Sequence, residues 1–362
     1  MNNIYAYIRE QGALSFESSP LNEADNLVFC VLSYLDLSEV VPSGIGAEVT
    51  LYEAARNYFA GQELPPAAKD DGSNRAPVLS RLFLRMAMAP RYRGVKLSGY
   101  REILDPASPE QFTALCIRYR KDALYVAFRG TSDSLVGWRE DFLLAATGHI
   151  PSQRDALRYL KRAGIRYPGC RIDVGGHSKG GHLALFAAAL CSEVIRSRIG
   201  QVWSNDGPDL PLPLREMEGY RALGTRIRHY VPKDSVASMI YSHEDHYFVV
   251  DSCVKGVASH DAKTWVIENG SFVILPERNK KSFRIEEKVR SWVEEMPQEE
   301  RLRFIQVFFE ILYATGADTF PKLLDLGSRA FWSIWQAFRR QSRADRKKLR
   351  QFLGLLIEVV RS

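Results

Sequence analysis

Val174-Gly175-Gly176-His177-Ser178-Lys179-Gly180-Gly181 joins an apolar run, Ile172 and Val174, to the helix-forming stretch His182 to Cys191. Inside it lies Gly-x-Ser-x-Gly, and the flanks make it a nucleophile elbow: a strand, a turn too sharp for side chains, then a helix. The chemistry needs that order. A serine hydroxyl is a poor nucleophile unless the turn lifts it clear of the backbone, beside a base and an anion-stabilising pocket. Glycines at 176 and 180 permit the close backbone approach that such a turn demands.

Outward from the elbow, Val95 to Leu104, Phe112 to Tyr119 and Leu124 to Phe128 are β-rich runs divided by Gly, Pro, Ser and charged residues. Three consecutive strands are expected there. Ser152 to Ala163 reads as a helix, Ile172 to Gly175 as a strand, and Gly180 to Ser192 as a helix, with further strands at Gln201 to Ser204, Arg226 to Val231 and Tyr247 to Asp251. Such alternation predicts a mostly parallel sheet with helices on both faces, an α/β fold. Before the sheet, Leu27 to Leu37 and Ala47 to Phe59 predict helical entry elements, followed by a loop over Gly61 to Ala76. After it, Thr264 to Leu275, broken at Asn269-Gly270, reads as a terminal β-hairpin. Beyond Pro276 four helical stretches are expected, Phe283 to Glu295, Gln298 to Tyr313, Phe320 to Arg340 and Ala344 to Val360. Two parts follow: an α/β domain over 1–275 and an all-helical extension over 276–362.

The 362 residues, 46% hydrophobic and 25% charged, suffice for a sizeable core. The start of the chain lacks the basic and apolar blocks of a secretory signal, and no apolar run reaches membrane-spanning length, so a cytoplasmic location is expected. Five cysteines, none in a Cys-x-x-Cys pair, suggest neither a disulfide framework nor a zinc site. The net charge of +6 is carried wholly by the extension, where 18 Lys and Arg face 12 Asp and Glu against 31 and 31 upstream. A neutral body with a basic appendage therefore points to two functional parts.

An activated serine requires a base, a carboxylate that sets the imidazole tautomer, and N–H donors for the oxyanion. On an elbow of this kind the chain order is serine, then Asp or Glu, then histidine. Asp234 follows the strand ending at Val231, and His260 follows the strand ending at Asp251, late in the sheet. Ser178, Asp234 and His260 are therefore the expected triad. Asp206 and Asp209, after the strand ending at Ser204, compete with Asp234, and His243 and His246 compete with His260. For the oxyanion hole the expected donors are the Lys179 N–H and the Phe128-Arg129-Gly130-Thr131 turn, with the Thr131 hydroxyl adding a hydrogen bond.

Other signals carry less. His243-Glu244-Asp245-His246 lacks the His-Glu-x-x-His spacing and a third ligand, and reads as a polar loop. The glycine pairs match neither phosphate-loop pattern, so nucleotide binding is not expected, and neither a metal nor an organic cofactor is required. In the extension, apolar residues recur at helical spacing around the basic run Arg339 to Arg350. That run reads first as a solvated inter-helix turn, then as a contact for an anionic membrane surface or a protein partner, and least as a nucleic-acid site.

Phe128-Arg129-Gly130-Thr131, then Gly137-Trp138-Arg139-Glu140-Asp141, then Gly176-His177-Ser178-Lys179-Gly180-Gly181 resemble the lipase class 3 branch of the α/β-hydrolases. Closest is an uncharacterised bacterial lipase-like group with the Gly-His-Ser-Lys-Gly-Gly elbow, which also shows Ser259-His260-Asp261 and Trp265, so the likeness covers about residues 1–275. It implies an α/β-hydrolase fold, Ser178, Asp234 and His260 as triad, Thr131 and Lys179 around the oxyanion, and Trp138 and Asp141 as loop-bracing residues. Lys179 departs from the apolar residue usual in lipases, and its side chain is expected to pair with Asp141 or Glu140 or to face an acidic substrate. The expected activity is hydrolysis of a carboxylic ester, of a lipid or acyl compound, through an acyl-enzyme. The alternatives are a thioesterase or peptidase with the same triad, and a non-catalytic interaction module.

Overall fold

Six consecutive buried residues, Ala123–Phe128, form an interior strand of the computed structural model, which describes residues 2–61, 76–235 and 247–360. Its side chains alternate between two cores: Tyr125 and Ala127 face one, while Leu124, Val126 and Phe128 face the other. A strand buried on both sides reads as a continuous apolar run, as this one does.

In chain order the strands are β1 (Val49–Thr50), β2 (Lys96–Asp105), β3 (Glu110–Arg120), β4 (Ala123–Phe128), β5 (Arg171–His177), β6 (Ile199–Asn205), β7 (Ile227–Pro232), β8 (Phe248–Val250), β9 (Ile267–Glu268), β10 (Ser271–Phe272) and β11 (Ile274–Leu275). Nine of them make one sheet in the order β1-β2-β3-β4-β5-β6-β7-β8-β11, and β9 and β10 pair separately. β2, β3 and β4 are antiparallel neighbours, whereas β4 to β8 run parallel. The helices Pro151–Arg166 and Lys179–Leu190 pack into one core, and Ile4–Gln11 and Glu23–Leu32 into the other. This is an α/β-hydrolase fold with a carboxy-terminal helical extension. The hairpin expected over Thr264 to Leu275 divides: its turn pairs β9 with β10, and β11 continues to the edge of the main sheet against β8.

The amino-terminal segment is tied down by one buried ion pair. Asp25 lies in the first turn of Glu23–Leu32, capped by Asn22, and receives both Arg91 Nε (2.8 Å) and Nη2 (2.5 Å) with the two side chains 0% and 1% exposed. Tyr7 and Tyr92 donate their hydroxyls to the same carboxylate, and Arg91 Nη1 donates to the carbonyls of Leu14, Ser15 and Ser19. Every polar group of the pair is thus occupied, which is what a buried charge requires.

In the extension the helices are Lys280–Glu294, Gln298–Tyr313, Phe320–Asp325, Ser328–Arg340 and Arg343–Val360. The single helix expected over Phe320 to Arg340 is broken because Gly327 takes φ 51° between its two halves. Their core joins Phe304, Phe309 and Leu349 to Leu135 and Ala146 of the helix Leu135–Thr147, which belongs to the α/β body. Phe142 of that helix stacks on Phe308 at 5.5 Å. Among the described residues no helix is long and apolar enough to cross a membrane. His243, His246 and most of the loop expected over Gly61 to Ala76 lie outside the described residues.

Removing one member of the Asp25–Arg91 pair strands the other charge in the core. Arg91→Ala is expected to lower unfolding stability by about 3–5 kcal/mol, measured by urea unfolding; a loss under about 1 kcal/mol, typical of exposed pairs, would rule this role out.

Candidate active site

Ser178 stands between β5 and the helix Lys179–Leu190 with φ 57° and ψ −133°, one of three non-glycine residues with positive φ among those described. Such a backbone persists only where the surroundings impose it. A Cβ on Gly176 would lie 2.2 Å from the Gly180 carbonyl carbon, and one on Gly180 would lie 2.1 Å from the Phe128 oxygen. Both elbow glycines are therefore demanded by close approach rather than by their own φ. Hydrogen bonds hold the turn from either side, Ser178 N to Asn205 O at 2.9 Å and Gly181 N to Ser178 O at 2.9 Å.

Asp206, immediately after β6, is a second of the strained residues, with φ 50°. Its Oδ2 accepts His260 Nδ1 at 2.6 Å, its Oδ1 accepts the Ser235 hydroxyl at 2.5 Å, and the carboxylate is 1% exposed. Asp234 does not hold His260, contrary to the sequence reading. Its Oδ2 accepts the Gly256 N–H at 3.1 Å and its Oδ1 accepts Asn279 Nδ2 at 2.8 Å, so it ties the loop carrying His260 to the start of the extension. The physical reason is strand order. β6 lies next to β5, so a residue leaving β6 emerges beside the elbow, whereas β7, which precedes Asp234, is one strand further away. Gly207 completes the approach, since a Cβ there would lie 2.7 Å from Ser178 O. Asp209 is elsewhere, near Arg215 and beneath Leu210 N.

His260 presents an imidazole that is 31% exposed on its side chain. Burial lowers its pKa, but the Asp206 charge and hydrogen bond outweigh this, and the net result is a value raised above 6.5. With Nδ1–H committed to Asp206, Nε2 is the nitrogen left for chemistry. Ser178 and His260 line the same cavity, and among the described residues no hydrogen bond yet joins them. In unliganded hydrolases such contacts are commonly long and tighten with substrate.

His177, one residue before Ser178, was not singled out from sequence. Its ring stands 4.6 Å from that of His260 by centroids, and its Nε2 lies 2.7 Å from the His260 carbonyl oxygen. A carbonyl only accepts, so Nε2 carries the proton and Nδ1 accepts from the Tyr34 hydroxyl at 2.9 Å. Burial, then the neighbouring His260, holds His177 well below the ordinary pKa and therefore neutral. Trp265, fully buried, donates Nε1–H to Ser259 O and steadies the same loop.

Around the expected oxyanion position, Lys179 opens a helix, and the N–H of such a residue has no intrahelical acceptor. Gly130 lies against the nucleophile, since a Cβ there would be 3.0 Å from Ser178 Cβ and 2.4 Å from His177 O. The Thr131 hydroxyl donates to Asp141 Oδ2 at 2.6 Å, so its proton braces the turn instead of reaching towards an oxyanion. Burial, opposed by Lys179 and Thr131, raises the Asp141 pKa to about 6. The Lys179 ammonium is 1% exposed and bonds to Glu140 Oε2 at 2.5 Å and to Gln111 O at 2.9 Å. Of the roles considered for it, pairing with Glu140 is the one realised, and its charge does not face a substrate.

The cavity over Ser178 has a volume of about 1660 Å³ and is lined mostly by apolar groups. Trp138 and Leu210 of the body line it together with Trp292, Phe304, Phe352 and Leu356 of the extension. Among the described residues no cluster of three metal-ligating side chains occurs.

A family model described as Mbeg1-like matches residues 86–310, well over half of the chain. No curated protein matches the sequence. Among solved structures, a mutant form of MDLA from Penicillium cyclopium is similar at 13% identity, covering 69% of this chain and 83% of its own, with a TM-score of 0.37. M37 lipase is similar at 14% identity, covering 69% of this chain and 84% of its own, with a TM-score of 0.36.

The two aspartates are separable by titration. In an NMR titration His260 is expected to show a midpoint above 6.5, to fall in Asp206→Asn because a charge that favours imidazolium is gone, and to hold in Asp234→Asn. The reverse ranking would return Asp234 to the histidine.

Proposed function

The chain belongs to the Mbeg1-like family, and we propose that it is a serine hydrolase of carboxylic esters with a sizeable apolar acyl group, using Ser178, His260 and Asp206. The observation that carries this reading is the strained Ser178 elbow sharing one cavity with a histidine whose far nitrogen is held by a buried aspartate.

Ser178 Oγ attacks the ester carbonyl carbon as His260 Nε2 takes its proton. The resulting imidazolium is stabilised by Asp206, which fixes the tautomer without itself becoming protonated. Negative charge gathers on the former carbonyl oxygen, where the Lys179 N–H, at the positive end of a helix dipole, and the Gly130-Thr131 turn can receive it. Collapse breaks the bond to the alcohol oxygen, which leaves with the proton from His260, and Ser178 is left acylated. Water then repeats the sequence, with His260 again taking the proton, and releases the acid. None of these steps calls on a metal or an organic cofactor.

Cavity size and lining support the substrate class. At about 1660 Å³ the chamber exceeds the roughly 300–1000 Å³ of ordinary small-molecule sites. Apolar walls favour an acyl chain, and burial of Lys179 against Glu140 removes the one charge next to the nucleophile that would have suited an acidic substrate.

A fluorophosphonate probe is expected to label the folded protein at Ser178 and to spare Ser178→Ala; absence of labelling in folded protein would refute the hydrolase. Against an acyl ester, Asp206→Asn is expected to lower kcat on the order of 10⁴-fold, whereas Asp234→Asn acts only through loop stability. The base must be neutral, so kcat/KM falls as pH drops through the raised His260 pKa, above 6.5, and flattens on the alkaline side.

A further inference from the structure

The helix Ser328–Arg340 is apolar on both sides. Its inner face, Ala330, Ile334, Ala337 and Phe338, packs into the core of the extension. On the outer face, at the same three- and four-residue steps, Phe331, Trp332 and Trp335 are 63%, 57% and 40% exposed. The apolar arc of this helix is thus wider than the part that packs inward, and its outer portion is left uncovered. Leu324, 77% exposed in the preceding helix, adds to the uncovered surface.

The rim of this face is cationic. Between Leu326 and Arg350 the sequence carries eight Lys or Arg against one Asp. That acid, Asp345, is taken by Arg303 at 2.8 Å. Among the described residues Arg329, Arg339, Arg340 and Arg343 enter no ion pair with a carboxylate, and Arg339 lies over the Trp335 ring, 4.7 Å from its centroid.

We propose that the outer face of Ser328–Arg340 is a docking surface for an anionic lipid bilayer, with Phe331, Trp332 and Trp335 set into the headgroup layer and the flanking arginines on lipid phosphates. Aromatic rings with polar edges settle at the boundary between headgroups and acyl chains, and unpaired guanidiniums above them match phosphate. A second copy of this chain is a poorer occupant, because two such faces would bring together an excess of like charge. Docking here places the membrane against the same extension that helps line the Ser178 cavity, and it does not depend on hydrolysis.

The test uses the full chain carrying Ser178→Ala, sedimented with phosphatidylcholine vesicles with and without phosphatidylglycerol. Retention is expected only with the anionic lipid, weakening as salt rises. Arg339→Gln with Arg340→Gln is expected to weaken it about thirtyfold, at roughly fivefold per charge, and Trp332→Ser with Trp335→Ser at least about tenfold. These side chains are exposed, so thermal unfolding is expected to stay within a few degrees of the parent. Equal retention on both vesicles, no retention, undiminished binding by the arginine variant, or a dimer in light scattering that the tryptophan variant dissolves would each overturn the proposal.

Discussion

At Gly176 and Gly180 the backbone of the turn passes so close to the Phe128 carbonyl that no side chain fits at either position. That contact locks the end of β4 to the turn after β5, and the left-handed backbone of Ser178 follows from it, since the chain has nowhere else to go. The remaining parts of the site are placed relative to this wedge. Gly130 meets Ser178 Cβ because it follows β4, Asp206 reaches the site because β6 is the next strand over, and Asn205 O receives the Ser178 N–H. Residual strain at Ser178 and Asp206, of order 1–3 kcal/mol each, is carried by a core that buries all of β4 and β5 from Ile172 onward.

Charge is handled in the same place by enclosure. Lys179 and Glu140 are sealed from water, and Glu140 also accepts the N–H groups of Gln111 and Ser152. The pair therefore links the first residue after the nucleophile to β3 and to the entry of the helix Pro151–Arg166. It is weak evidence for stability, since desolvating two ions offsets most of their attraction. Its effect is positional: it anchors the first residue of the helix that follows Ser178. Asp141, beside it, keeps the Thr131 turn in shape through one hydrogen bond.

Much of this was legible in the residues, and the gaps have physical causes. Ser178 and the three strands before it announce themselves through local pattern, because an elbow needs glycines and strands need period-two or continuous apolar runs. His260 was legible from chain order. Asp206 was not separable from Asp234, because both follow a strand and the deciding quantities, strand adjacency and a positive φ, are tertiary. A hint lay in Asn205-Asp206-Gly207-Pro208, where glycine beside the acid signals close packing. His177 escaped because its role depends on a carbonyl distant in sequence, and the break at Gly327 because an apolar period continues on either side of it.

The last strand, β11, ends at Leu275, and packing continues across that point. Asn279 bonds to Asp234, Arg278 pairs with Glu286 while donating to Ser235 O, and Phe142 of the body is ringed by Phe308, Phe309 and Phe352. Asp234 and Ser235 stand on a loop that also serves the active-site carboxylate, because the Ser235 hydroxyl donates to Asp206. The contacts of the first helix of the extension thus run through two consecutive residues, Asp234 and Ser235, to Asp206, the hydrogen-bond partner of His260.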